Sequence, residues 1–173
     1  MTSYVALLRG VNLVGKSSLK MADLKAIAEE LGLKSVRTLI ASGNLVFVSK
    51  EPEDKLRRML EQRLQEHMGK GVRVMLRTAD EMEAAARANP FADAPGNRVQ
   101  AFFMTEAPTA DLLATVRNQA DDERIALGRR EVYVAYGERG IGRSKLRIPA
   151  AEAGTARNMN TVAKLAEMAK EVE

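Results

Sequence analysis

The amino-acid sequence predicts an α+β fold of two tandem ferredoxin-like halves packed as one compact unit. Strand-like and helix-like segments alternate in the order βαββαβ and then βαββα. Short turns join neighbouring strands, and 173 residues suit one domain or two small halves that share a core. We expect the first half at residues 1–78, a linking helix and loop at 79–97, and the second half at 98–173.

Apolar periodicity and helix-end signals define the elements of the first half. Leu24, Ile27 and Leu31 recur at helical spacing, and Gly32 provides the left-handed stop. Pro52 and the acidic residues around it start the next helix, because proline presets φ and carboxylates favour a helix N-terminus. The predicted elements are a strand at 4–8, a helix at 21–31, strands at 36–40 and 45–48, a helix at 52–68 and a strand at 72–76.

The second half follows a similar order with different residues. Thr78 and Glu81 form a capping box that opens a short helix, which stops before Pro90. The loop 91–97 is the predicted boundary between the halves. The predicted elements that follow are a strand at 99–104, a helix near 108–118, hairpin strands at 124–127 and 132–136, and a last helix carrying Val162, Leu165 and Ala169.

Composition limits the classes of function. The absence of cysteine excludes disulfides and thiolate catalysis and fits the reducing cytosol, so we expect a cytoplasmic protein. No apolar run approaches the ~20 residues that span a bilayer, so no membrane partner is expected. The single histidine, His67, has no evident partner for acid–base or zinc chemistry, and no nucleophile–base pair is recognisable. We therefore predict no metal and no cofactor, and leave open whether the protein is an enzyme.

A polar segment near the C-terminus carries the strongest indication of a site. Residues 137–147 contain three glycines and four cations, so this segment buries little apolar surface. It is followed by residues 155–161, which lead into the last helix beside Arg157. Helix-start amides and guanidinium groups both favour an anion. The nearby run of Asp121, Asp122 and Glu123 is interpreted as a solvated turn.

Arginine, asparagine, serine and lysine at strand ends and turns form the predicted ligand site. Arginine offers a planar fork to phosphate or carboxylate, and asparagine offers both a donor and an acceptor. Taken singly, Asn12, Ser42 and Asn44 are explained as turn formers and Asn158 as a helix N-cap. Taken as a set, the candidate anion-binding residues are Arg9, Asn12, Ser42, Asn44, Ser144, Lys145, Arg157, Asn158 and Asn160.

The segment from Gly10 to Ser17 matches the phosphate-binding pattern G-x-x-x-x-G-K-[ST]. In a true P-loop a helix starts at the lysine, whereas here the helical pattern starts near Met21. No apolar strand ends in an aspartate suited to hold magnesium, and the element order predicts hairpins rather than parallel crossovers. We interpret the match as accidental.

Five motifs resemble, in order and spacing, the bacterial domain-of-unknown-function 1697 family across nearly the whole chain. The resemblance implies two ferredoxin-like α+β halves and no established activity. The family usually carries paired glycines where this chain has Val14 and Gly15, and a tryptophan where it has Met159. The motifs are Tyr4–Asn12, Ala41–Asn44, Asn89–Phe91, Gly142–Leu146 and Thr155–Thr161.

These observations favour a binding domain for an anionic small molecule such as a phosphate-bearing compound or nucleotide, without identifiable catalytic machinery. One alternative is an enzyme on a phosphorylated substrate, with Lys16 and Lys145 stabilising developing charge. Another is a nucleic-acid module, disfavoured because no aromatic residue follows Tyr136 for stacking. A third is a structural domain without a ligand. No particular oligomeric state is indicated.

Overall fold

The protein is a mixed α+β molecule with two four-stranded sheets, and the computed structural model describes residues 1–9, 19–39 and 43–172. Two compact units are formed, one by Met1–Glu83 with Leu165–Glu173 and the other by Ala84–Lys164. The strands are β1 Thr2–Arg9, β2 Lys34–Leu39, β3 Asn44–Ser49, β4 Arg73–Thr78, β5 Val99–Phe103, β6 Arg124–Leu127, β7 Glu131–Ala135 and β8 Thr155–Asn158. The α-helices are α1 Met21–Glu30, α2 Glu53–Met68, α3 Ala79–Arg87 and α4 Met159–Glu171.

The sheet of the first unit has the strand order β2-β3-β1-β4, and each neighbouring pair is antiparallel. Strand β1 is central, with Leu7 opposite Asn44 of β3 and opposite Met75 of β4. Alternate side chains of β1 turn to opposite faces of the sheet, and both faces are covered. This explains why β1 reads as a continuous apolar run rather than an alternating one.

One face of this sheet packs against α1 and α2. Tyr4, Ala6 and Leu8 of β1 join the same apolar cluster as Leu24 of α1 and Leu60 of α2. The opposite face receives the second half of α4, where the Ser3 hydroxyl donates a hydrogen bond of 2.6 Å to the Ala169 carbonyl. The last residues of α4 therefore belong to the core of the first unit.

The helix-end predictions are confirmed. Thr78 and Glu81 form the reciprocal capping box, with distances of 2.9 and 3.1 Å between each backbone nitrogen and the other residue's side-chain oxygen. Helix α2 starts directly after Pro52 and ends at Met68, and the following Gly69 has a left-handed φ of 70°. No helix within the described residues is long and apolar enough to span a bilayer.

The sheet of the second unit has the strand order β6-β7-β5-β8, again antiparallel throughout. Its face carrying Val132 and Val134 is covered by three short 3₁₀ turns and the loops around them, with Leu112 and Ile148 among the buried residues. The hairpin of β6 and β7, joined through Gly128, is as predicted.

The predicted helix near 108–118 is wrong, because only the 3₁₀ segment Ala110–Thr115 forms. A single residue of this segment, Leu112, is buried, so a full amphipathic helix would gain little from packing. The Thr115 hydroxyl donates to the Leu112 carbonyl at 2.6 Å, and Asn118 then adopts a positive φ of 58°. The chain thus leaves the helical path within two turns.

A second correction concerns the residues before the last helix. Arg157 and Asn158 lie in strand β8, which pairs with β5, whereas the sequence analysis predicts no strand before the last helix. From β5 onward the second half is therefore β, 3₁₀, β, β, 3₁₀, 3₁₀, β, α rather than βαββα. The strand carries no apolar alternation, since Thr155 and Arg157 are its buried side chains. The strand forms because its backbone pairs with β5, although its sequence has no apolar alternation.

The segment Gly10–Ser17 lies outside the described residues, but its surroundings bear on the P-loop match. Helix α1 begins at Met21, four positions after the serine of the pattern. The strand before the segment belongs to a sheet with antiparallel neighbours on both sides. P-loop enzymes have a strand followed by a helix in a parallel sheet, so the surroundings favour an accidental match.

We expect Gly154→Ala to destabilise the second unit by about 1–3 kcal/mol through overpacking. An alanine Cβ there would lie 2.1 Å from the Phe103 carbonyl oxygen and 3.0 Å from its carbon, and both are backbone atoms of β5. Urea unfolding of both proteins measures the loss.

Gly142→Ala is the matched control, because a Cβ at that position meets no atom within 4 Å. Its free energy of unfolding should stay within about 0.5 kcal/mol of the parent protein. Equal stabilities for the two variants would contradict the close approach at Gly154.

Candidate functional site

The nine predicted site residues divide between the two units. Arg9 and Asn44 lie in the first unit, and Asn12 and Ser42 fall outside the described residues. The remaining predicted residues of the second unit are Ser144, Lys145, Arg157, Asn158 and Asn160. The single pocket expected from all nine stays a prediction.

Arg9 is the last residue of β1, and it lies directly opposite Arg73, the first residue of β4. Both side chains are exposed. Directly opposed residues of antiparallel strands have Cβ atoms about 5 Å apart, and like charges placed so are destabilising. Sequence analysis missed Arg73, because an exposed arginine at the start of an alternating strand belongs to no motif. The signal that identifies it is the strand register.

Asn44 begins β3 on the neighbouring side of β1, opposite Leu7. Its side chain is fully buried, and its amide nitrogen donates to the Leu39 carbonyl at 3.0 Å. This bond links the first residue of β3 to the last residue of β2, so Asn44 holds the hairpin together as a turn former. Its role as a ligand donor stays a prediction.

The start of α1 lies at the same end of the first unit as the two arginines. Helix α2 ends at Met68 and the chain enters β4 at Arg73 soon afterwards. The His67 imidazole, in the last turn of α2, lies 3.8 Å from the Asp23 carboxylate in the first turn of α1. The N-cap of α1 is Lys20, which makes no side-chain capping bond. The first backbone N–H groups of α1 therefore receive no side-chain cap from Lys20.

Glu61, a carboxylate on α2, interacts with the charge of Arg73. Burial raises the pKa of Glu61, while the charges of Arg57 and Arg73 act in the opposite direction. The field of Arg73 thus reaches α2, and an external anion at this end would compete with Glu61 for it. Arg9 has no ion pair within the described residues.

In the second unit, Arg157 is a buried cation on β8 opposite Ala101. Its Nη1 donates to the Thr155 hydroxyl at 2.8 Å and to the Ala156 carbonyl at 2.9 Å. Burial lowers the pKa of Arg157 to about 10, because desolvation disfavours the charged form. Its contacts within β8 hold the guanidinium against the sheet.

Two asparagines next to Arg157 serve the start of α4. The Asn158 side-chain oxygen accepts a 3.0 Å hydrogen bond from the Thr161 amide, which is the N-cap arrangement expected for Asn158 alone. The Asn160 carboxamide lies so close to Gly96 that a Cβ there would be 2.1 Å from its oxygen. Both side chains thus have structural contacts within the second unit.

Ser144 is bound to a buried carboxylate that sequence analysis interpreted as part of a solvated turn. Its hydroxyl donates to Glu123 at 2.5 Å and accepts from the Leu146 amide at 3.1 Å. Glu123 is buried and also accepts from the Ala120 amide at 2.8 Å. The interpretation of Glu123 as solvated is therefore wrong. Lys145, the next residue after Ser144, is exposed.

Tyr136 lies beside this buried carboxylate. Burial raises the pKa of Tyr136 to about 12, and the negative charge of Glu123 adds to the shift. The phenol donates to the Gln100 side-chain oxygen at 2.9 Å. Both effects keep Tyr136 neutral, so it is a structural hydrogen-bond donor at ordinary pH.

A cavity of about 580 Å³ opens at the other end of the first sheet, around the start of β1. Lys34, Ser35, Thr78 and Asp80 are among the residues that line it. None of the predicted site residues that the structure describes lies there. Within residues 1–9, 19–39 and 43–172, no three histidine, aspartate or glutamate side chains are grouped to hold a metal ion.

The described structure is thus a mixed α+β protein with two four-stranded antiparallel sheets. The family model described as a protein of unknown function (DUF1697) matches residues 1–133. The chain belongs to this family. No match was found among curated proteins.

A solved structure extends the similarity over the whole chain. It is the structure of the conserved bacterial protein SP0830 from Streptococcus pneumoniae, which is 27% identical in sequence. The alignment covers 98% of this chain and 99% of that one, with a TM-score of 0.79. The fold therefore extends beyond the residues that the family model matches.

The raised pKa of Tyr136 leads to a prediction for the stability of the protein at alkaline pH. Between pH 10 and 12 the unfolded chain loses a phenolic proton that the folded protein keeps, so the free energy of unfolding falls as pH rises. Tyr136→Phe removes this proton, and the slope should become shallower by at most about 1.4 kcal/mol per pH unit.

Urea unfolding across this pH range tests the slope. The lost bond to Gln100 shifts the variant's stability by a constant amount, so only the pH dependence is informative. Identical slopes in the two proteins would show that Tyr136 titrates normally.

Proposed function

We propose that the protein binds an anionic, phosphate-bearing small ligand at the end of the first sheet where Arg9 and Arg73 meet. The observation that carries the proposal is their direct opposition on neighbouring strands, with both side chains exposed. Two opposed cations repel each other in the absence of a counter-charge. A bound phosphate would convert this repulsion into two charge-assisted contacts.

Neighbouring features support the same ligand class. The uncapped N-terminus of α1 offers backbone N–H groups and the positive end of a helix dipole. Asn44 shapes the hairpin beside β1 and remains a candidate donor, as do Asn12 and Ser42 outside the described residues. A phosphate has enough acceptor oxygens for both guanidinium groups and one or more amides.

The predicted residues of the second unit have weaker support as ligand donors. The side chains of Ser144, Asn158 and Arg157 bond to their own unit, whereas Lys145 is exposed. We retain them as candidate anion-binding residues of the second unit. The enzyme alternative requires turnover of a phosphorylated substrate that Lys145→Ala abolishes without lowering the melting temperature. The structural alternative requires that no anion binds.

We propose further that both units are variants of the ferredoxin-like topology. The strand orders β2-β3-β1-β4 and β6-β7-β5-β8 have the same arrangement, with the first strand of each unit in the third position. In this proposal the halves are residues 1–78 and 98–173, joined by 79–97. A cytoplasmic protein fits the lack of cysteine, and a bacterial one fits the similarity to the pneumococcal structure.

A thermal-shift experiment with inorganic phosphate, pyrophosphate and nucleotides tests the site. Saturation at about 100 times the dissociation constant adds about 2.7 kcal/mol to the free energy of unfolding. In a chain of this size that corresponds to a rise in melting temperature of about 5–10 °C. Arg9→Met and Arg73→Met should each remove most of the rise.

The free energy of unfolding of the same variants, measured without ligand, gives a second test. Arg9→Met should raise the free energy of unfolding by a few tenths of a kcal/mol at low salt, because it relieves the repulsion with Arg73. Arg58→Met, at an exposed position on α2, is the control and should retain the ligand response. The proposal would be refuted if none of the tested anions raised the melting temperature, or if Arg9→Met kept the full rise.

A further inference from the structure

The cavity of about 580 Å³ at the start of β1 is formed within the first unit alone. Its volume falls in the range of small-molecule pockets, which is about 300–1,000 Å³. Ser3 of β1 and Val48 of β3 both line it and lie directly opposite each other. Because the Ser3 hydroxyl bonds to Ala169 of α4, the cavity lies on the face of the sheet that α4 covers. Val172, which follows the last residue of α4, also lines the cavity.

A β-bulge in β2 brings Lys34 to the same face of the sheet. Arg37 of β2 is opposite Val46 of β3. Three residues earlier, Lys34 is opposite Val48, which is only two residues from Val46. With regular pairing Ser35 would be opposite Val48, and Lys34 would be turned to the other face. Ser35 is the extra residue of the bulge, and its φ of 50° is one that residues with a side chain rarely adopt.

Lys34 is the cation in the wall of the cavity. Its side chain is exposed, and it makes no ion pair with any residue in 1–9, 19–39 and 43–172. Arg37, the other cation that β2 directs to this face, is paired with Glu171 at the end of α4 at 2.7 Å. Helix α4 therefore neutralises Arg37, while Lys34 is available to an external anionic group.

Asp80 provides the opposite charge in the wall of the cavity. It is the second residue of α3, which directly follows β4. Its carboxylate lies 3.7 Å from the Lys170 ammonium, which is paired more closely with Glu83. Because Lys170 keeps Glu83 as a partner, the exposed Asp80 carboxylate can accept an external ammonium group.

The two charges stand on opposite sides of an apolar surface. Strands β2 and β4 are the edges of the sheet, so about 14 Å separates their backbones, at about 4.8 Å per strand. Between them the buried side chain of Val48 forms part of the floor, and Val172 lines the side of α4. The cavity thus presents a cation and an anion with apolar groups between them.

We propose that this cavity binds a small zwitterion, namely an aliphatic α-amino acid or dipeptide. The ligand's carboxylate contacts Lys34, its ammonium group contacts Asp80, and its aliphatic side chain packs on Val48 and Val172. A simple anion would attract Lys34 but repel Asp80, and a simple cation would do the reverse. A molecule that carries both charges complements both walls.

An NMR titration of the full-length protein tests the proposal. The probes are L-leucine and L-leucyl-L-leucine, with N-acetyl-leucine, which lacks the ammonium group, and leucinamide, which lacks the carboxylate. The first two should bind saturably and shift the backbone amide signals of Ser3, Val48 and Val172. N-acetyl-leucine and leucinamide should each bind about fivefold more weakly than leucine, because each loses one partly exposed ion pair.

Two variants assign the two contacts. Lys34→Met should weaken leucine binding about fivefold and bind leucine and leucinamide equally, because the partner of the carboxylate is gone. Asp80→Asn should bind leucine and N-acetyl-leucine equally, because the partner of the ammonium group is gone. A change that merely distorted the cavity would weaken all probes alike. Lys25→Met and Glu29→Gln, at exposed positions on α1, are the matched controls and should leave every affinity unchanged.

Several outcomes would overturn the proposal. They are no saturable binding of leucine or the dipeptide, equal affinities for all four probes, or the same losses in the control variants. Binding of inorganic phosphate that Lys34→Met abolishes, without binding of leucine, would also overturn it and assign the cavity to a simple anion. Melting temperatures of all variants verify that they fold.

The cavity and the phosphate site at the other end of the sheet can fail separately. Arg9→Met should bind leucine with the affinity of the parent protein. Lys34→Met should keep the response to phosphate proposed for Arg9 and Arg73.

Discussion

The antiparallel pairing of β1 with β3 and β4 is the constraint on which the first unit depends. Both faces of β1 are buried, so a shift of one residue would turn its side chains to the wrong faces. Burial therefore specifies the register, and the register brings Arg9 opposite Arg73 at the strand's exposed end. The proximity of the two cations is a consequence of packing along the rest of the strand, which outweighs their repulsion.

The second unit relies on buried hydrogen bonds where the first relies on helices. One face of its sheet is covered by 3₁₀ turns and loops, and polar groups secure them. Glu123 is the central example, because its carboxylate receives Ser144 and the Ala120 amide. A buried carboxylate is costly unless it is bonded in this way.

Much of the fold followed from local patterns, whereas the contacts of the polar side chains did not. Helix α2 and the capping box at Thr78 have strong periodicity and end signals, and both were predicted. Strand β8 was missed because its burial comes from pairing with β5 rather than from an apolar pattern. The opposition of Arg73 to Arg9 and the bond of Glu123 to Ser144 were missed, since no nearby residue along the chain indicates either contact.

The sequence by itself determined the α+β class, most element boundaries and the concentration of cations at strand ends and in a glycine-rich loop. These properties depend on residues close together in the chain, where propensity, capping and periodicity act. Tertiary structure alone decided which polar side chains form hydrogen bonds within their own unit and which are exposed to solvent. That choice depends on strand register and on partners such as Glu123 for Ser144, twenty-one positions apart, whose meeting no local pattern encodes.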